Sequence, residues 1–112
     1  HAWGASPIYL LGKYYLGVKP VKEGYKEFSI APALGGLKWM EGTVPTPNGD
    51  IQVYMDSKTI KVKATEGEGY LTIRSRRQPK TTIGKMEKVS ENTWRLWIDS
   101  PEERVISYFN SI

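Results

Sequence analysis

Apolar residues recur at every second position in five stretches of this chain, and that period of two constrains the fold more than any other feature. Phe28 and Ile30 flank Ser29; Ile51, Val53 and Met55 alternate with Gln52 and Tyr54; Ile60, Val62 and Ala64 alternate with Lys61 and Lys63. Leu71 and Ile73 enclose Thr72, and Trp94, Leu96 and Ile98 alternate with Arg95 and Trp97. Successive side chains of a β-strand point to opposite faces, so each stretch reads as a strand with one face toward a core. Leu37–Thr46 and Val105–Phe109 bring the named stretches to seven, and the expected count is roughly eight strands, which suits two packed antiparallel sheets.

Turn chemistry fits that reading. Asn48-Gly49 is a hairpin signal, and Glu66-Gly67-Glu68-Gly69 supplies residues that tolerate positive φ. Adjacent strands are expected to pair as meander hairpins. Gly35-Gly36 lacks the Lys and Ser/Thr of a phosphate loop and reads as a turn. Pro79 and Pro101 mark reversals or edges, where a missing backbone donor is tolerated.

The N-terminal segment follows a different rule. Ser6 followed by Pro7 is a helix-start signal, because Ser caps an orphan N–H and Pro needs none at the first helical position. A helix is predicted from about Pro7 to Leu16, ended by Gly17 in a left-handed conformation, with Pro20 preventing its resumption. Its apolar and aromatic residues cover most of the circumference, so Tyr9, Leu10, Tyr14 and Leu16 need neighbours on more than one side. In isolation such a helix is expected to drive self-association. A first residue His1 with no initiator Met reads as a chain cut from a longer one. The expected architecture is mainly β: a two-sheet antiparallel sandwich over 27–112 with one N-terminal α-helix over 1–17 and a connector over 18–26.

Composition excludes several functions. The 112 residues allow one modest core. Without cysteine there are no disulfides or thiolate metal sites, and a single His makes a protein metal site and any metal or other cofactor unexpected. No apolar run approaches the ~20 residues of a membrane span, so no membrane partner is expected, and a soluble chain leaves the compartment open. The net charge of +4 raises nucleic acid, but Lys61, Lys63 and Arg74 fall on polar faces of alternating strands, which argues against it.

Catalytic chemistry is equally sparse. A glycosidase needs two carboxyl groups flanking the scissile bond. Glu66 and Glu68 lie in a Gly-rich turn and Glu102 and Glu103 beside Pro101, positions that suit solvated surface. The lone His at the extreme N-terminus is ill placed for a Ser-His-Asp triad. The chain reads as no enzyme on its own.

A family resemblance begins where His1-Ala2-Trp3-Gly4-Ala5-Ser6-Pro7 runs into Tyr9-Leu10-Leu11. It continues through Gly17-Val18, Pro20, Gly24-Tyr25, Ile30 and Pro32, then Trp39, Gly42-Thr43-Val44-Pro45-Thr46-Pro47, Gly49, Ile51 and Val53. In order and spacing these residues resemble the junction between the helical toroid and the C-terminal β-sandwich of bacterial α-L-rhamnosidases, glycoside hydrolase family 78. Beyond about Tyr70 the chain departs from the pattern, lacking the usual Val-Pro-Ala-Gly stretch. The resemblance implies a parent that is an inverting glycoside hydrolase with its carboxylates upstream in the toroid. This chain is then an accessory domain that packs against that catalytic domain of the same polypeptide. It also implies that His1 and Trp3 approach the carbohydrate substrate in the parent.

Three aromatics carry further expectations. Trp39 is expected in the core, where its large apolar area is most valuable. Trp97 alternates away from Trp94, Leu96 and Ile98, so it either covers a neighbouring domain or stacks on a sugar ring. Trp97 or Tyr54 is the candidate platform of the alternative reading, a carbohydrate-binding module.

Overall fold

The computed structural model describes residues 16–22 and 26–110. Among them are ten strands: β1 (Val18–Pro20), β2 (Glu27–Ile30), β3 (Trp39–Thr46), β4 (Gly49–Asp56), β5 (Thr59–Ala64), β6 (Glu68–Arg74), β7 (Lys80–Thr81), β8 (Met86–Ser90), β9 (Thr93–Ile98) and β10 (Arg104–Ser107). They form two five-stranded sheets, ordered β1-β2-β6-β9-β8 and β3-β4-β5-β10-β7. The sheets pack as a sandwich around one core.

The period of two sets that core. Phe28, Ile30, Leu71, Ile73, Leu96 and Ile98 from the first sheet meet Met40, Ile51, Val53, Ile60, Val62 and Ile106 from the second, all essentially inaccessible to water. Leu16, ahead of β1, is fully buried in the same cluster. Tyr9, Leu10 and Tyr14, with the rest of the predicted helix before Leu16, lie outside the described residues.

The strands form the expected mainly β, antiparallel-dominated two-sheet sandwich. Several finer expectations need correction. One pair, β2 and β6, runs parallel, Phe28 opposite Gly69 and Ile30 opposite Leu71. After β2 the chain crosses to the other sheet, builds the β3-β4-β5 meander and returns beside β2. Such a long excursion permits parallel pairing where a tight turn cannot. β1 lies inside the predicted connector yet pairs with β2, Val18 opposite Ile30.

Gly69, expected in a turn, is in β6, and a Cβ there would lie 2.0 Å from the Phe28 carbonyl oxygen. What position 69 requires is the lack of a side chain. The first hairpin turns at Pro47-Asn48, with Gly49 at φ 113°. Gly17 does adopt the left-handed region, at φ 65°.

Trp39 is 54% exposed, contrary to its expected burial. Register explains it: Met40 pairs with Met55 on the core face, so Trp39, opposite Asp56, must point outward.

Candidate functional site

The outer face of the first sheet carries a half-buried aromatic pair, Tyr70 and Trp97. Lys19 lies opposite Ser29, Ser29 opposite Tyr70 and Tyr70 opposite Trp97, so the four form one outward row. Directly opposed side chains on one face touch: the Tyr70 and Trp97 rings meet edge to face, centroids 4.7 Å apart and planes at 65°. The Arg95 guanidinium sits 4.1 Å from the Tyr70 centroid, and its Nε donates to the Glu87 carboxylate. That carboxylate raises the pKa of Arg95. A 440 Å³ cleft beside this cluster adds Lys85 and Lys88. A sugar platform needs an open, flat ring face; here the rings are steeply inclined and a cation caps one of them.

Tyr54 lies on the outer face of the other sheet, in a row with Glu41 and Lys61. The fold therefore does not bring Tyr54 and Trp97 together. The Tyr54 hydroxyl donates to Asp56 Oδ2 at 2.7 Å, and Lys61 Nζ stands 5.4 Å from the ring centroid. The Asp56 hydrogen bond, then burial, push the Tyr54 pKa up to about 12. Asp56 Oδ1 accepts the Lys58 and Thr59 N–H groups at 2.8 and 2.7 Å, closing the β4–β5 turn. Burial alone would raise its pKa, but the Tyr54 hydroxyl, these two N–H donors and the Lys61 charge together lower it. The Tyr108 hydroxyl donates to the Asp56 carbonyl at 2.5 Å, and burial lifts its pKa to about 12.

Tyr108 also stands between two open clefts at one end of the sandwich. One, of 740 Å³, includes Lys58, Arg76 and Phe109; the other, of 730 Å³, includes Lys38, Arg74, Leu34 and Leu37. Ser57, Tyr108 and Asn110 border both. The sequence reading passed over this end because its residues come from four separated segments. The only local hint was the cluster Arg74, Arg76 and Arg77.

Arg104 was also missed. It is 1% exposed at the start of β10 and donates to the Ser100 and Glu102 carbonyls at 2.7 Å, which ties the 99–103 loop to the core. Glu66, Glu68, Glu102 and Glu103 are all exposed on loops or strand ends. Among the described residues no group of three or more His, Asp or Glu is arranged to hold a metal ion. His1 and Trp3 lie outside the described residues.

Residues 17–65 match a family model described as the bacterial alpha-L-rhamnosidase C-terminal domain. The fold is similar to part of the crystal structure of Streptomyces avermitilis alpha-L-rhamnosidase complexed with L-rhamnose, with a TM-score of 0.75 and 14% identity. That match covers 87% of this chain and 10% of the Streptomyces chain, so the chain spans about a tenth of the length of the protein it resembles. No curated protein matches the sequence.

Proposed function

We propose that this chain is the accessory sandwich of a rhamnosidase-like glycoside hydrolase, packing against and supporting an upstream catalytic toroid; the match of residues 17–65 to the rhamnosidase C-terminal domain model and the similarity of fold support this reading. The observation that carries this reading is the way the chain enters the sandwich. Leu16 is fully buried, Val18 is 4% exposed, and Gly17 accepts a hydrogen bond from the Ala31 N–H at 3.1 Å. A preceding domain would thus be joined through core packing and a sheet strand, not through a free linker, and its position would be fixed relative to the sandwich. Val21, just past β1, is 58% exposed, which leaves apolar surface there for such a partner.

Hydrolysis of the rhamnoside, with inversion, belongs in this reading to carboxylates of the catalytic domain. The exposed, scattered glutamates of the sandwich are consistent with that division. The test compares cleavage of an aryl α-L-rhamnoside by a longer chain containing the upstream domain and by this chain at equal molarity. Turnover is expected from the longer chain alone. Turnover by the 112-residue chain would overturn the accessory role, and failure of both would remove rhamnose from the reading.

A further inference from the structure

The end of the sandwich where the two large clefts adjoin carries four cations with no ion-pair partner among the described residues. Lys58 and Arg76 line one cleft and Lys38 and Arg74 the other, and among the described residues neither lining contains an Asp or Glu. Among the described residues only Lys22, Arg95 and Arg104 pair with a carboxylate, so what sets this end apart is the grouping of four cations around clefts without a described acid. Asp56, the nearest acid in sequence to Lys58, spends its oxygens on the Tyr54 hydroxyl and on the Lys58 and Thr59 backbone N–H groups. It forms no ion pair with the Lys58 ammonium.

Arg76 is preset for an anion. Its Nε donates to the Asn110 carbonyl at 2.7 Å, and its own N–H donates to the Phe109 carbonyl at 2.9 Å. Both ends of the residue are thereby anchored to the last strand's extension. The two terminal guanidinium nitrogens make no hydrogen bond among the described residues, and they form the planar fork that matches a carboxylate bidentately. Around this fork the first cleft offers hydroxyl groups from Ser57, Thr59 and Ser107. Phe109 and, in the second cleft, Leu34 and Leu37 add apolar surface.

We propose that this end of the sandwich is a binding site for an acidic saccharide, a short run of sugars bearing carboxylates. Cations alone would suit any anion. Their interleaving with hydroxyl groups and with apolar surface suits a chain that alternates carboxylates, hydroxyls and C–H faces. Each cleft falls in the ~300–1,000 Å³ range of small-ligand sites, and their shared border lets one oligomer run across both. The site is independent of the accessory role, since it lies in the described sandwich and involves no residue of an upstream domain.

The test is calorimetric titration of the 112-residue chain with tetragalacturonate, maltotetraose, a pentaglutamate peptide and sodium sulfate, in low salt. Tetragalacturonate is expected to bind about tenfold or more tighter than each of the others. The K58Q/R76Q double variant should lose about tenfold in that affinity, as expected when charge-assisted hydrogen bonds are removed. The K63Q variant, a surface cation of β5 away from the clefts, should bind as the parent does. Far-UV circular dichroism of each variant separates lost binding from lost folding, and K38Q/R74Q provides a second pair if the first fails to fold. Equal affinity for pentaglutamate would reassign the end to an acidic peptide. Equal affinity for sulfate would reduce it to an unspecific anion site. Indifference of tetragalacturonate binding to both double variants would place its site elsewhere. Each of these three results overturns the proposal.

Discussion

At the scale of single residues, the fold rests on positions whose chemistry runs against first impressions. Gly69 looks like turn material and is instead the point where β6 passes against β2, with Phe28 filling the space a side chain would need. A methyl group there would meet backbone, which cannot rotate away, so strands β2 and β6 would have to part. Gly69→Ala is expected to destabilise the chain by about 2–3 kcal/mol, the upper part of the overpacking range. Gly36→Ala serves as the contrast: φ is 96°, but nothing lies within 4 Å of the added carbon, so only backbone strain of about 1 kcal/mol arises. Urea midpoints of the two variants check the ordering, and equal losses would show that contact with β2 is not what position 69 responds to. Arg104 teaches the complementary lesson. A charged residue reads as surface, yet Arg104 is buried and its guanidinium donates to two carbonyls of the 99–103 loop.

At the scale of elements, strands were legible wherever one face is buried and the other wet, because only then does the pleat write an alternation into the sequence. β4, β5, β6 and β9 satisfy that condition. β8 buries Met86 alone, β7 has two residues, and β1 has three with a proline, so none carries enough alternation to be seen. The clefts were illegible for a related reason: loops 31–38 and 57–59 and segments 74–76 and 107–110 converge only through the topology. The β4–β5 turn, by contrast, makes a prediction about pH. Asp56 is held below its usual value, so the stability it contributes is present above about pH 4 and is lost as pH falls through the lower, folded-state pKa. Tyr54 and Tyr108, pushed up to about 12, favour the neutral phenol. Their contribution is present below about pH 10 and is lost as pH rises toward the folded value. The melting temperature should therefore fall at both ends of the scale. Asp56→Asn should lower the plateau and flatten the acid limb, and an unchanged acid limb in that variant would assign the acid sensitivity to other groups.

At the scale of the whole molecule, the question is where the sandwich begins. Periodicity placed its first residue at Glu27 and treated 18–26 as connector, because Gly17 and Pro20 interrupt every regular pattern. The structure ties that stretch into the fold: β1 extends the first sheet, Leu16 and Val18 fill its end of the core, and Gly17 approaches Ala31 so closely that a Cβ would lie 2.2 Å from the Ala31 oxygen. Burying two such aliphatic side chains is worth about 3–6 kcal/mol, a large share of the marginal stability of a domain this size. A chain beginning at residue 27 also strips the outer edge of β2 of its hydrogen-bonding partner and exposes Phe28 and Ile30 at an unprotected strand, which favours aggregation. A chain beginning at residue 16 keeps all of these contacts. The expected result is that the longer of these two truncated chains unfolds cooperatively on heating with a near-ultraviolet signal from its tryptophans, while the shorter one melts at least about 10 °C lower or precipitates, given the several degrees each lost kcal/mol costs at this length. Matching melting curves for the two would mean that the first strand decorates the sandwich without supporting it, and the proposed accessory role would lose the observation that supports it.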